Sequence, residues 1–423
     1  MNRLQFIRRL GLGAGVFALG SARAESEQAP SGWPPKAEAG SAAFWEAVRS
    51  QYVTDDDLIY LNCGGLGPSP RPVLDMLDLS SRILQHRVET GHFYFEEARA
   101  VVAGFLGAQP EEICFTRNAT EGNSIIAVGL GLRAGDEVIF ETHAHPGGSL
   151  PWLNRARQIG IVVRTFEPDP ASPEGNLERI AALVTPRTRV VQVSHITAPT
   201  GLVMPVKQLA EFTRAKGLWL HVDGAQSAGM IPFDLHALGC DSFATSGHKW
   251  LGAPRETGVL YIRRERVDEV APLHVGAYSS GDFDLCGQLV YTQGARRHEY
   301  GTRNAASVVA LAEAARFQNT IGRERIAEHG RVLADYLLAA LQGLPRVKVL
   351  TPTRADMRAA MVTFAVEGRT AGAVFGHLME TQRLRCRPVN EAGLEAVRVS
   401  LHVFNTLEHC ERVASTLARY TRA

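Results

Sequence analysis

A chain of 423 residues with 45% apolar side chains can bury a large core and divide it between two or three domains. Its 45 Lys and Arg balance 44 Asp and Glu, which excludes the basic excess expected of a nucleic-acid binder. Six cysteines (Cys63, Cys114, Cys240, Cys286, Cys386 and Cys410) stand apart without a C-x-x-C pair, which argues against a disulfide framework or a structural zinc site.

The first residues differ in character from the rest. Met1 to Arg9 is basic, Leu10 to Gly20 is weakly apolar and Gly-rich, and Ala22-Arg23-Ala24 is an A-x-A cleavage signal. This pattern predicts an export signal over 1–24 and a periplasmic address, because so short an apolar stretch cannot span a bilayer as a stable helix. Arg8-Arg9 points to the twin-arginine translocase, which exports folded proteins, although the alignment starting at Asn2 has Leu4 where the second Arg belongs. Gly11-Leu12-Gly13-Ala14-Gly15 follows no strand, so a dinucleotide-binding loop is rejected.

Residues 25–39 are dominated by Ser, Pro, Gly, Glu and Ala and read as a flexible leader. A segment at 40–71 follows, with a helix expected over Phe44 to Val53 and then the turn Leu61-Asn62-Cys63-Gly64-Gly65-Leu66-Gly67; it is expected to pack on a small C-terminal domain. The main domain is expected over 72–318. In it, the strand Glu112 to Phe115 leads into Thr116-Arg117-Asn118-Ala119-Thr120-Glu121-Gly122-Asn123, which opens an apolar helix through Ile125, Ile126 and Val128. Free N–H groups and the helix dipole favour a phosphate at such a start, and Asn118 with Glu121 also fits a capping box. The strand Glu137 to Phe140 ends at His143-Ala144-His145; no third ligand cluster accompanies this pair, so no metal site is expected.

Two further strands end in groups that carry chemistry. Gly217 to Val222 runs into Asp223, and Asp241 to Thr245 runs into Ser246-Gly247-His248-Lys249-Trp250, placing Lys249 twenty-six residues after Asp223. Ligands bind at the carboxyl ends of strands in open α/β sheets. A primary amine and a carboxylate delivered there are what pyridoxal 5'-phosphate requires: the amine forms a Schiff base with the aldehyde, and the carboxylate keeps the ring nitrogen protonated so that the ring withdraws electrons. Beyond 318, a helix through Ile326 to Gln342, strands at Val347 to Val349 and Ala360 to Phe364, and helices near Ala371 to Glu380 and Leu407 to Thr421 predict a smaller α+β domain over 319–423.

From about Ile59 onward, and most specifically over His221 to Tyr261, the chain resembles the class V aminotransferase family, which includes cysteine desulfurases, kynureninase and isopenicillin N epimerase. The resemblance implies fold type I: an α/β architecture with a large, mostly parallel-sheet cofactor domain and a smaller C-terminal α+β domain. It implies Asp223 as the ring-nitrogen partner, Gln226 beside the ring hydroxyl, and Lys249 as the Schiff-base lysine. Ala119, Thr120, Ser246 and His248 are the implied phosphate and active-site contacts, and His145, seven residues before Trp152, is implied to stack on the ring. The catalytic set is then Lys249, Asp223 and His145.

Thr302, in Glu299-Tyr300-Gly301-Thr302-Arg303-Asn304, is implied to reach the phosphate of a neighbouring subunit, giving a homodimer with a shared site. The strand Val397 to His402 alternates, with Arg398 and Ser400 opposite its apolar face; periodicity alone fits a solvated face equally well, but the resemblance makes Arg398 the clamp for a substrate carboxylate, with Asn62 as a further candidate. The segment Ser194 to Gly201 departs from the desulfurase pattern and stands closer to the isopenicillin N epimerase branch. Cys386, between Arg385 and Arg387, is the one thiol near the position of a desulfurase nucleophile, but its strand-like context reads as a structural cysteine.

These features predict an exported enzyme acting at the α-amino group of an amino-acid-type substrate, similar to isopenicillin N epimerase. The alternative is a periplasmic enzyme tailoring a pyoverdine-type siderophore side chain, and a cysteine desulfurase or lyase comes third. A cofactor-binding sensor is the non-enzyme alternative; the sequence has no added DNA-binding segment to support it.

Overall fold

Runs of β-branched and aliphatic residues, buried on both sides, set the main sheet. The computed structural model describes residues 33–55 and 57–422, so the expected export signal and the first part of the leader lie outside the described residues. Strand β1 (Ile59–Tyr60) belongs to the C-terminal part of the fold. The next seven strands, β2 (Ile113–Thr116), β3 (Glu137–Glu141), β4 (Val162–Phe166), β5 (Thr188–Ser194), β6 (Trp219–Asp223), β7 (Ser242–Ser246) and β8 (Gly258–Ile262), form one sheet in the order β2-β8-β7-β6-β5-β3-β4.

Strands β3 to β7 run parallel, and β8 is antiparallel to both β7 and β2. Only β8 is therefore reversed, and the carboxyl ends of the other six strands share one edge. Every residue of β3, β6 and β7 is buried, as strands covered by helices on both faces require. The covering helices are amphipathic in the usual way: Val206–Ala215, which connects β5 to β6, buries Val206, Leu209, Ala210 and Thr213 at helical spacing.

An exposed hairpin of β9 (Ser280–Phe283) and β10 (Leu289–Tyr291) follows. Its strands, of four and three residues, are too short to read from periodicity; the Asp284 side chain organises its turn by accepting from Cys286 and Gln288 N–H.

A second sheet is wholly antiparallel, with β11 (Val347–Val349), β12 (Met361–Val366), β14 (Arg387–Val389) and β15 (Ala396–Ser400) in the order β11-β12-β15-β14. Helices Arg323–Gln342, Ala371–Gln382 and Leu407–Arg422 bury Leu337, Leu378 and Leu417 against Phe364, Val397 and Val399 of this sheet. Strand β1 pairs in parallel with β13 (Leu384–Arg385), and Asn62 bridges to Ser400, so the segment before residue 71 is tied to the C-terminal sheet. Within the stretch read as leader, Trp33 stacks on Phe317 with ring centroids 4.4 Å apart.

The two sheets meet at the loop after β5. Thr363 of β12 and Thr351, just after β11, donate to the carbonyls of Pro199 and Thr200, at 2.7 and 2.8 Å, and Arg398 donates to Ala198 O at 2.7 Å. These bonds bring β15 to the carboxyl edge of the main sheet.

Candidate active site

The shared edge gathers the side chains that carry chemistry into one cavity of about 280 Å³. Ala119, Thr120, His145, Asp223, Gln226, Ser246, His248, Lys249 and Arg398 all line it. All but Arg398 sit at or just beyond the carboxyl end of a strand of the main sheet: β2 delivers the helix start, β3 delivers His145, β6 delivers Asp223 and, just beyond it, Gln226, and β7 delivers Ser246 to Lys249. Arg398 comes from the second sheet. A larger cavity of about 680 Å³, lined by Tyr60, Leu66, Arg255 and Arg385 among others, shares no lining residue with it.

The helix Ala119–Gly129 begins as the sequence requires. Asn118 caps it by accepting from Glu121 N–H at 3.0 Å. The reciprocal half of the expected capping box reaches one residue farther, because the Glu121 carboxylate accepts from Arg117 N–H instead of the cap residue. Ala119 N–H donates to Ser246 Oγ at 3.0 Å, locking this helix start to the end of β7.

His145 is itself a helix cap: its Nδ1 accepts from Gly147 N–H at 3.0 Å, which leaves the proton of the neutral ring on Nε2. Burial and then the neighbouring Lys249 ammonium lower its pKa, so the ring is neutral. Trp152, expected from its spacing, is fully buried and donates to Gln192 at 2.6 Å away from the cavity wall. His248 is pushed down to about 4, chiefly by burial and next by Lys249.

Asp223 is oriented on both oxygens. Its Oδ1 accepts from Ala225 N–H at 3.0 Å, and its Oδ2 from Asn123 Nδ2 at 3.1 Å. Lys249 is pushed down to about 8 by burial, with Asp223 opposing the shift and Arg398 and Arg387 adding to it. Its loop is clamped from the other side: Gly67 N–H donates to His248 O at 2.8 Å, and a Cβ on Gly67 would collide with Lys249 O. Gln226 spans the floor, donating to Gly64 O at 2.9 Å and accepting from Trp250 Nε1 at 2.8 Å.

Arg398 is 1% exposed, so its strand face is not solvated. Its Nε, Nη1 and Nη2 donate to Ser400 Oγ, Ala198 O and Asn62 Oδ1 at 3.1, 2.7 and 3.1 Å. Asn62 is not among the lining residues; it orients Arg398 from behind. Thr302 is exposed and also outside this cavity. Cys386 lies in the second core with its thiol pushed up to about 12 by burial, and no cysteine is among the lining residues.

Two residues of the site were not anticipated. Asn123 is fully buried in the helix Ala119–Gly129, but its neighbours Thr120, Glu121 and Ser124 are polar too, so residue type alone does not single it out. Arg387 lines the cavity because β14 pairs it with Arg398; the alternation of Arg385-Cys386-Arg387 carried that signal.

This donor set fits pyridoxal phosphate. One cavity offers an amine of lowered pKa, an oriented carboxylate, a neutral imidazole, and a helix start flanked by a serine for the phosphate.

The comparisons agree. The family model described as Aminotransferase class-V matches residues 75–413. Isopenicillin N epimerase of Amycolatopsis lactamdurans is 32% identical over 90% of this chain and 100% of its own length. A probable cysteine desulfurase of Mycobacterium leprae is 30% identical, covering 86% of this chain and 92% of that protein. Among solved structures, the apo cysteine desulfurase of Thermococcus onnurineus NA1 superposes with a TM-score of 0.80 at 28% identity, over 89% of this chain and 98% of that one. A C-DES mutant with glycine covalently linked to its PLP cofactor gives a TM-score of 0.80 at 26% identity, over 88% and 98% of the two chains.

Proposed function

The chain belongs to the class-V aminotransferase family, a pyridoxal phosphate-dependent enzyme of fold type I, and from that premise we propose that it acts at the α-amino group of an amino-acid-type substrate, in the manner of isopenicillin N epimerase. The observation that carries the reading is the meeting of Arg398 with Lys249 and Asp223 in one cavity, which gives a carboxylate and the neighbouring amine their separate places. Arg398 keeps two of its five N–H donors for that carboxylate. When bound, pyridoxal phosphate supplies the electron sink that stabilises charge at the α carbon. Asp223 holds positive charge at the ring nitrogen, and Lys249 Nζ takes the α proton and returns it. The neutral His145 ring lines the same cavity as Asp223.

Solvent-deuterium exchange at the α carbon, followed by NMR over a panel of L-amino acids, tests this. Exchange with loss of optical activity identifies epimerisation, oxo-acid formation identifies transamination, and release of a β or γ substituent identifies elimination. Absence of exchange with every member of the panel rejects the reading and favours a cofactor-binding sensor.

The desulfurase alternative needs a thiol at the site, and Cys386 and Cys63 are both buried with raised pKa values. Cys386→Ser is expected to leave turnover intact; its loss with cysteine as substrate reinstates that alternative. A periplasmic address, and with it tailoring of a siderophore of the pyoverdine type, rests on residues 1–24. Metabolite analysis of the periplasm in a deletion strain tests that role.

A further inference from the structure

Arg387 and Arg398 face each other across the β14–β15 ladder as register partners. Residues paired in this way project on the same face of the sheet, with Cα atoms about 4.5 to 5.5 Å apart. Both line the cavity that holds Lys249 and Asp223. One substrate carboxylate needs one planar fork. The cavity wall presents two.

Each guanidinium is fixed separately. Arg398 is held by Ser400, Ala198 and Asn62. Arg387 is held through Nη2 by Glu391, four residues on, in the turn Glu391–Gly393. Its Nη1 is buried and has no hydrogen-bond partner among the described residues. Buried N–H donors are almost always satisfied, because leaving one unmet costs more than a typical hydrogen bond returns. Two cations side by side in a half-dry site also repel one another, and burial followed by Arg387 holds Arg398 down to about 9. A second anion beside Arg387 relieves both penalties.

We propose that the substrate is an amino acid with an acidic side chain, Arg398 taking the α-carboxylate and Arg387 Nη1 the side-chain carboxylate. This rests on the reading of the site as one for amino acids. In it Glu391 acts as the aligning counter-ion, holding the Arg387 fork so that Nη1 points to the ligand. Arg387 is thus the residue that sets specificity, while Lys249 and Asp223 serve any amino acid alike.

Equilibrium titration of the holoenzyme, read from the cofactor absorbance, compares L-glutamate and L-aspartate with their isosteres L-glutamine and L-asparagine. The acids are expected to bind about tenfold tighter or more than the amides, the effect of one charge-assisted hydrogen bond. Arg387→Gln is expected to abolish that preference by weakening the acids alone, and Arg387→Lys to keep part of it by retaining the charge. Equal affinity of acids and amides for the wild-type protein overturns the proposal. So does equal weakening of both by Arg387→Gln, which places the two arginines on the α-carboxylate together. If no amino acid changes the spectrum, the underlying amino-acid reading fails as well, and the two failures are thereby told apart.

Discussion

Asn123 donates from Nδ2 to Asp223 Oδ2 at 3.1 Å while its Oδ1 receives the Nε2 proton of His221 at 2.9 Å. The chain continues without ambiguity, because each partner leaves the next only one role. Trp219 Nε1 donates to Ser242 Oγ at 2.8 Å, and Ser242 donates to His221 Nδ1 at 2.8 Å. His221 is pushed down to about 3 by burial and stays neutral, which the one-directional chain requires. The Asp223 carboxylate is thus aimed from the interior of the sheet.

Asn123→Leu removes the donor to Asp223 and leaves His221 Nε2 without an acceptor. An unsatisfied buried polar group costs about 1 to 3 kcal/mol. The variant is expected to hold pyridoxal phosphate about tenfold more weakly or worse, measured by equilibrium dialysis, with a shifted cofactor absorbance. Asn123→Asp sets a second carboxylate against Asp223 and is expected to be worse still. Wild-type affinity and spectrum in both variants exclude a positioning role for Asn123.

Arg398→Ala removes the buried fork while leaving Lys249, Asp223 and the phosphate contacts in place. Loss of a charge-assisted hydrogen bond costs about 1.5 to 3 kcal/mol, so substrate affinity is expected to fall tenfold or more with the cofactor spectrum retained. Arg398→Lys is expected to recover only part of it, since an ammonium cannot form the planar fork. Unchanged affinity in Arg398→Ala shows that the carboxylate lies elsewhere.

The Lys249 amine sets a pH dependence. Cofactor capture by the apoprotein needs the neutral amine, so its rate is expected to rise through a midpoint near the folded pKa of about 8. Between that value and the ordinary lysine range the unfolded chain binds the extra proton, so this group's contribution to apoprotein stability increases with pH across the window and is most unfavourable below it. Asp223→Asn removes the one opposing influence and is expected to move the midpoint lower. Stopped-flow absorbance measures the profile, and borohydride reduction with peptide mapping is expected to place the pyridoxyl group on Lys249. A label on another lysine removes the basis of the mechanism.

Export is tested at Arg8 and Arg9, which belong to the basic start of the sequence. Cell fractionation is expected to find a mature form beginning at Glu25 in the periplasm. Arg8→Lys with Arg9→Lys is expected to retain the precursor in the cytoplasm, because the twin-arginine translocase reads paired guanidinium groups. Continued export of the double variant points to the general secretory route, and an uncleaved cytoplasmic wild-type protein rejects the address altogether.

The strand ends leading to Asp223 and Lys249 were legible because their chemistry is local. An apolar run stops, small residues follow, and a group needed by the cofactor comes next. The helix start at Asn118, the His145 turn and the strand bearing Arg398 were legible for the same reason. Asn123 and Arg387 were not, since each is functional only through a partner on another element of the fold. Asn123 is one hundred residues from Asp223. Arg387 acquires its place from register with Arg398, and a shift of one residue in that pairing would turn its side chain to the opposite face.

The sequence by itself determined the cofactor chemistry, the α/β architecture and which strand ends carry the amine and the carboxylate, because short-range pattern and residue type suffice for those. Only the tertiary structure decided that Asn62 steadies Arg398 from behind, that Asn123 aims Asp223, and that a second arginine shares the cavity wall. Those relations depend on strand register and on the docking of one sheet against the edge of the other, which are fixed by burial summed over the whole chain and by no single segment of it.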